Sequence, residues 1–355
     1  MRDSSTQKTP DFSDTSLKKP LKAYTAAGVD VDLGNSVKRT IHNLVRSTHG
    51  PEVLGKIGGF GGLFRADFRS MRDPILVSSV DGVGTKLKIA FATGRHDTIG
   101  QDLVNHCIND IAVIGARPLF FLDYIAGEKL DPKIFRQILK GFAVACRAGG
   151  CALIGGETAQ MPGMYHAGEY DLAGTIVGVV DRAKMLDGSK IRVGDVLIGL
   201  AGNGLHTNGY SLARHVLLEK LRLPLDKPLP GMKQKLSTEL LRVHPNYQPL
   251  MASLPAGMLK GAAHITGGGL VDNIPRVLPP KCRAEIASGS WPIPHLFDVI
   301  REGGKVPLPE MYQVFNMGIG MVLIVSASRA AEALRLTKGT PIGRIVAGPQ
   351  DVVIT

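Results

Sequence analysis

The chain has little of what marks a redox, metal-cluster or nucleic-acid protein. Only four of its 355 residues are cysteine. Cys107, Cys146, Cys151 and Cys282 form no C-x-x-C pair. Neither a zinc ribbon nor a disulfide framework is implied, and reduced thiols are the expectation. Aromatics make up 5% and there is one Trp. The net charge of +11 is spread along the chain among Asp and Glu. With no Lys/Arg block interleaved with aromatics, it reads as attraction for a small phosphorylated ligand, with a solvated basic surface as the alternative, rather than nucleic acid. No apolar run reaches the ~18 residues of a membrane span, and the start carries no signal-peptide h-region. A cytoplasmic protein with no membrane partner is expected. The G-x-x-x-x-G-K-[ST] spacing of a Walker A loop is absent, and there is no short-period repeat.

What the chain has is glycine, 43 residues of it, in a composition of 44% hydrophobic and 21% charged residues. That is a soluble α/β composition with many turns and close backbone approaches. The length suits two domains. Residues 1–22 are polar and read as a disordered tail. A boundary is expected near residue 186, between Asp187-Gly188-Ser189 and the preceding strand, giving domains 23–186 and 187–355. Helices are expected over Asn35–Thr48, Thr98–Ile114, Pro132–Cys146 with Asp131 as N-cap, Tyr210–Leu221 and Ala327–Leu336. Strands are expected at Leu119–Ile125, Cys151–Ile154, Thr175–Val180, Val196–Leu200 and Met321–Val325, with closing strands over 342–354.

Chemistry gathers at the glycine turns. Pro74-Ile75-Leu76-Val77 leads into Asp81-Gly82-Val83-Gly84-Thr85-Lys86, and helix-like spacing follows. A strand, a glycine turn and a helix can face an anion, and Asp81 adds a carboxylate suited to Mg²⁺. A tight Asp-Gly turn with a structural Lys would read the same. Asp110, late on a helix, and Glu157, after the strand that enters Gly155-Gly156, complete a trio able to hold Mg–nucleotide. Lys86 and Arg117 are candidates to neutralise phosphate; a solvated surface is the plain alternative. In the second half, His206 lies in a glycine loop and can move a proton, bind phosphate or merely cap the turn. Gly267-Gly268-Gly269 and Gly318-Ile319-Gly320 have the composition of phosphate cradles, or of buried turns. Two anion sites, one in each half, suggest two phosphorylated ligands in one cleft.

Read in order, the stretches become recognisable. They are Tyr24…Ala27-Gly28-Val29-Asp30, Asp81–Lys86, Asn109-Asp110-x₄-Gly115-Ala116-Arg117-Pro118, Gly155–Tyr165, His206–Ser211 and Leu270…Asn273–Pro279. Over residues 23–355 the chain resembles the aminoimidazole ribonucleotide synthetase (phosphoribosylformylglycinamidine cyclo-ligase) family. The resemblance implies a two-domain α/β (α+β) fold with a barrel-like sheet across the two-fold of a homodimer and a C-terminal α/β layer. It implies ATP-dependent ring closure of formylglycinamidine ribonucleotide in purine biosynthesis. It further implies Mg²⁺ on Asp81, Asp110 and Glu157, and ATP near Asp81, Gly82, Gly84, Thr85, Lys86, Asp110, Gly156 and Glu157. The substrate falls near His206, Asn208, Gly267, Gly268, Gly269, Asn316 and Gly318, with His206, Asp81 and Lys86 as the catalytic set. The family's Lys after the N-terminal Tyr is Thr25 here, with Lys22 nearby. Selenophosphate synthetases are disfavoured because no Cys precedes Cys107, and hydrogenase-maturation proteins because the chain closes on Val352-Val353-Ile354-Thr355. A thiamine-monophosphate kinase is the rival that stays open.

Overall fold

The computed structural model describes residues 41–129 and 131–355. The tail, the Tyr24–Asp32 stretch with Lys22 and Thr25, and the start of the Asn35–Thr48 helix lie outside the described residues. Residues 41–46 are helical and bury Ile41 and Val45.

Strands β1 (Pro74–Gly82), β2 (Arg117–Gly127), β3 (Ala152–Gln160) and β4 (Tyr170–Asp181) form a four-stranded sheet in the order β1-β4-β2-β3. β4 runs antiparallel to β1 and β2, and β2 runs parallel to β3. A single rung passes through Asp81, Gly174, Asp123 and Gly156. Helix α1 (Leu87–Thr93) follows the glycine turn, and α2 (Ile99–Ala112) covers one sheet face. Nearly all of α2 is buried, because α3 (Pro132–Gly149) packs on its far side. Where the two helices cross, a Cβ on Gly100 would lie 2.3 Å from the Ile138 carbonyl oxygen. One on Gly141 would lie 3.1 Å from the Gly100 Cα. Only glycine lets the backbones approach that closely. α3 starts at the expected cap, with Asp131 accepting from the Lys133 and Ile134 amides, an interaction worth about 1 kcal/mol. On the other sheet face, side chains alternate outward and leave Leu76 (63% exposed) and Val80 (67% exposed) uncovered.

The second sheet is β5 (Val196–Ala201), β6 (Leu259–His264), β7 (Cys282–Ile286), β8 (Ile319–Val325), β9 (Thr340–Ala347) and β10 (Val352–Ile354), ordered β10-β7-β9-β5-β8-β6. β8 is buried at every residue, the pattern of a strand covered on both faces. The two sheets divide the chain between Asp181 and Val196. The helix expected over Tyr210–Leu221 is α4 (Tyr210–Arg214), which continues as a π-turn over His215–Lys220.

One strand departs from expectation in a way that matters. β3 does not end before the Gly155-Gly156-Glu157 turn; it continues through it to Gln160. Glu157 pairs with Tyr124 in mid-strand. Gly156 makes this possible, since a Cβ there would sit 2.3 Å from Asp123 Oδ1.

Candidate active site at the junction of the halves

Helix α2 carries a polar stripe that meets the second half. Asp102, Asn105 and Asn109 fall at i, i+3 and i+7, on one face. They clamp the backbone of residues 244–247 from the second half. Asp102 Oδ1 accepts from His244 N at 2.8 Å, Asn105 Nδ2 donates to His244 O at 2.8 Å, and Asn109 bonds both Pro245 O and Tyr247 N at 2.8 Å. This clamp sets His244 beside three other imidazoles, those of His106, His206 and His264.

The result is a chain of polar contacts across the halves. Asp81 Oδ2 lies 2.8 Å from His106 Nε2. His106 Nδ1 lies 2.7 Å from Thr207 Oγ1, which is 3.4 Å from His244 Nδ1. His244 Nε2 meets His264 Nε2 at 2.9 Å, and His264 Nδ1 meets Asp110 Oδ1 at 2.8 Å. Asp110 Oδ2 accepts from Ser79 Oγ at 3.1 Å and stands 3.9 Å from His106 Nε2, which returns the chain to its start.

Charge in the cluster collects on His106. Burial pushes its pKa down, but the Asp81 hydrogen bond and the Asp110 and Asp81 charges outweigh burial, so the net direction is up. For His264 burial wins over Asp110, and the direction is down. His206 and His244 are pushed well down, by burial first and then by neighbouring cationic groups. Burial raises Asp81 and Asp110, but their histidine partners reverse this and both end below the usual carboxylate range.

Asp81, His106, Asp110 and His264 border a cleft of about 450 Å³. Thr266, Asn273 and Arg276 border it from the second half. Arg276 has no hydrogen-bond or ion-pair partner among the described residues, which suits it to an anion. It belongs to the Asn273–Pro279 stretch that carried part of the family resemblance.

The other expected site residues divide. Asp81 and Asp110 come together, whereas Glu157 does not join them within one chain. β3 and β1 are opposite edges of the sheet, so three strand spacings, about 14 Å, separate them. Gly156 lies there too. Lys86, expected to meet phosphate, is instead fully buried. Its Nζ is 2.8 Å from Asp102 Oδ2 and donates to His206 O at 3.0 Å and Arg242 O at 2.7 Å. Lys86 ends the short 3-10 turn before α1, and its bonds to the two carbonyls tie the first half to the second. Gly82 and Gly84 form the turn, the latter at φ 68°. Thr85 Oγ1 touches Ser211 Oγ across the junction at 3.1 Å. Arg117 borders a different hollow of about 550 Å³ with His49, Arg65 and Arg147, and none of the expected carboxylates lies there.

In the second half, His206 is buried at φ 63° and stacks on His244 with ring centroids 4.3 Å apart. Its Nε2 accepts from Asn203 N at 3.3 Å, its Nδ1 has no partner among the described residues, and it does not border the cleft. The imidazoles that do are His106 and His264. Asn208 Nδ2 donates to Thr207 Oγ1 at 3.3 Å, and Gly267 sits against Asn208. The Gly267-Gly268-Gly269 turn is packed and not open: a Cβ on Gly269 would be 2.0 Å from Tyr312 O. Asn316 is buried and braces loops, donating to Gly204 O at 2.9 Å and accepting from Gly318 N at 2.8 Å. Gly318 O in turn accepts from Gly202 N at 2.7 Å. His106 and His264 had sequence signals. His106 shares a helix face with Asp110, and His264 ends a strand before a glycine turn. His244 had only the α2 stripe that receives it.

Two family descriptions match the chain. "AIR synthase related protein, N-terminal domain" covers residues 68–180 and "AIR synthase related protein, C-terminal domain" covers residues 192–355. The chain is 51% identical over 324 residues to the phosphoribosylformylglycinamidine cyclo-ligase of Trichlorobacter lovleyi, spanning 91% of this chain and 93% of that one. It is 51% identical over 332 residues to that of Anaeromyxobacter dehalogenans, spanning 92% and 96%. Among solved structures, a thiamine-monophosphate kinase from Stenotrophomonas maltophilia superposes with a TM-score of 0.66 at 20% identity, over 88% of this chain and 95% of that one. The hydrogenase maturation protein HypE in complex with ATP superposes at 0.62 and 18%, over 89% and 90%. Identities this low speak to the fold alone. With both halves matched and about half of the aligned positions shared with the curated relatives, the chain belongs to the AIR synthase related family, among its phosphoribosylformylglycinamidine cyclo-ligases.

Proposed function

We propose that this chain closes the imidazole ring of formylglycinamidine ribonucleotide, using ATP and releasing ADP and phosphate. The observation that carries the reading is the cleft in which Asp81 and Asp110 from the first half face Arg276 and Asn273 from the second. Phosphoryl transfer to an amide oxygen needs positioning and charge neutralisation more than covalent catalysis. Asp81 and Asp110 are oxygen donors whose oxygens both lie within 4 Å of one His106 nitrogen, so they fit a hard cation that also takes phosphate oxygens. Bound there, Mg²⁺ would screen phosphate charge. Arg276 is free to grip a phosphate of the substrate, and His264, against Asp110, is placed to hold a proton at the cleft wall.

A homodimer is part of the proposal. Leu76 and Val80 lie on the uncovered face of the first sheet, and apolar strand faces of this kind need a partner. No helix of the described residues is long and apolar enough to cross a membrane. All four cysteines are free and buried, as suits a reducing cytoplasm.

The test is phosphate release from ATP with and without formylglycinamidine ribonucleotide. Release that depends on this substrate supports the reading. Well-folded protein that releases none, or that instead phosphorylates thiamine monophosphate, sinks it.

A further inference from the structure

The cleft holds more nitrogen than an all-oxygen magnesium site calls for. His106 and Asp110 are i, i+4 neighbours on α2, and His264 is the last residue of β6. One donor atom from each can be chosen so that all three lie within 4.8 Å of one another. The two imidazoles are buried, and Asp110 is half-buried at the cleft. Asp81 Oδ2, 2.8 Å from the same His106 nitrogen, stands beside them as a further oxygen.

The outer nitrogens are what a metal site requires. A ligating histidine nearly always passes its other ring N–H to a fixed partner, which sets tautomer and ring plane. His106 Nδ1 has Thr207 Oγ1 at 2.7 Å, and His264 Nε2 has His244 Nε2 at 2.9 Å. Both inner nitrogens, His106 Nε2 and His264 Nδ1, then point at carboxylate oxygens 2.8 Å away. A lone pair facing a carboxylate needs a proton or a cation between them. Metal–nitrogen bonds of about 2.0–2.1 Å put tetrahedral donors about 3.3 Å apart, so each donor must move by under about 1 Å.

We propose that His106, Asp110 and His264 form a binding site for a divalent transition cation of the zinc class. Imidazole suits such ions, whereas Mg²⁺ prefers oxygen throughout. The site shares Asp110 with the nucleotide reading and stands without it, because the cation needs neither ATP nor substrate to bind. It joins α2 of the first half to β6 of the second, so it also fastens the cleft.

The experiment uses the untagged full chain, stripped with chelator and titrated with Co²⁺ in the absence of nucleotide. The expected result is one Co²⁺ per chain with visible ligand-field absorption. His106→Gln and His264→Gln each weaken binding at least tenfold and lose the bands, by removal of a donor. Thr207→Val keeps all three donors and removes the partner of His106 Nδ1, along with the longer contacts of Thr207 Oγ1 to His244 Nδ1 and Asn208 Nδ2; it weakens Co²⁺ by about 10- to 100-fold. His215→Gln, at an exposed histidine paired with Glu219, keeps both stoichiometry and spectrum. Absence of stoichiometric Co²⁺ from the wild type overturns the proposal, as does wild-type binding in both histidine variants. If those variants fail to fold, unchanged Co²⁺ affinity in Thr207→Val overturns it instead.

Discussion

Lys86 Nζ stands 2.8 Å from Asp102 Oδ2, and both side chains have no solvent exposure at all. Burial drives the Lys86 pKa down and the Asp102 pKa up, each opposed by the partner. Removing one member strands the other, a loss of about 3–5 kcal/mol for buried pairs. Lys86→Met is therefore expected to lower the thermal midpoint strongly, and Lys86→Met with Asp102→Leu to recover part of it. Calorimetry of the three proteins checks this. A single variant as stable as wild type would return Lys86 to the phosphate role that its sequence suggests.

Asp81→Asn is expected to cut substrate-dependent phosphate release by at least about 100-fold, the scale of losing one preorganised electrostatic group. Its melting midpoint should hardly change, since Asp81 is 40% exposed at the cleft. Steady-state kinetics beside a melting curve separates the two effects.

The histidines should rank by their place. His264 borders the cleft and His206 does not. His264→Gln is expected to lower kcat/KM more than His206→Gln. His206→Gln, which forces another side chain into φ 63° between His244 and Gly320, should cost more stability. The reverse order in kinetics would assign His206 the proton-moving role.

Asp123 makes stability depend on pH. Burial first, and the Glu157 charge after it, push its carboxyl up to about 7. The unfolded group ionises near about 3.9. Between these values the folded state holds the proton that the unfolded state has lost, so stability falls as pH rises from about 4 to 7. Asp123→Asn should flatten that decline. Parallel declines in thermal midpoint for wild type and variant over this range would refute it.

Much of the fold was legible because its signals are local. The Asp131 cap with Pro132, the α2 span and the apolar run of β8 need only neighbours in sequence to be read. The site was legible in part. Asp81 and Asp110 announce themselves as carboxylates at element ends. Glu157 looked the same, but Gly155-Gly156 is not a turn. Gly156 makes room for Asp123 within a strand, and that neighbour comes from another element. Lys86 and His206 misled for a related reason. A lysine after a glycine turn reads as free, and only the distant Asp102 and Arg242 carbonyl reveal that it is enclosed. His244 follows no periodic pattern, and the α2 stripe that holds it lies about 140 residues earlier in the chain, a separation no periodic reading spans.

The tie from Lys86 to the carbonyls of His206 and Arg242 also bears on how the chain is made. A chain synthesised from its N-terminus releases the first sheet while both acceptors are still unmade. Until residues 206 and 242 have both left the ribosome, the Lys86 ammonium lacks one or both of these carbonyls, and its dry environment is incomplete. The first half must wait in an unfinished state and is completed by the second. Arrest of synthesis between the two sheets would thus strand a nascent domain with a wet cation in its core.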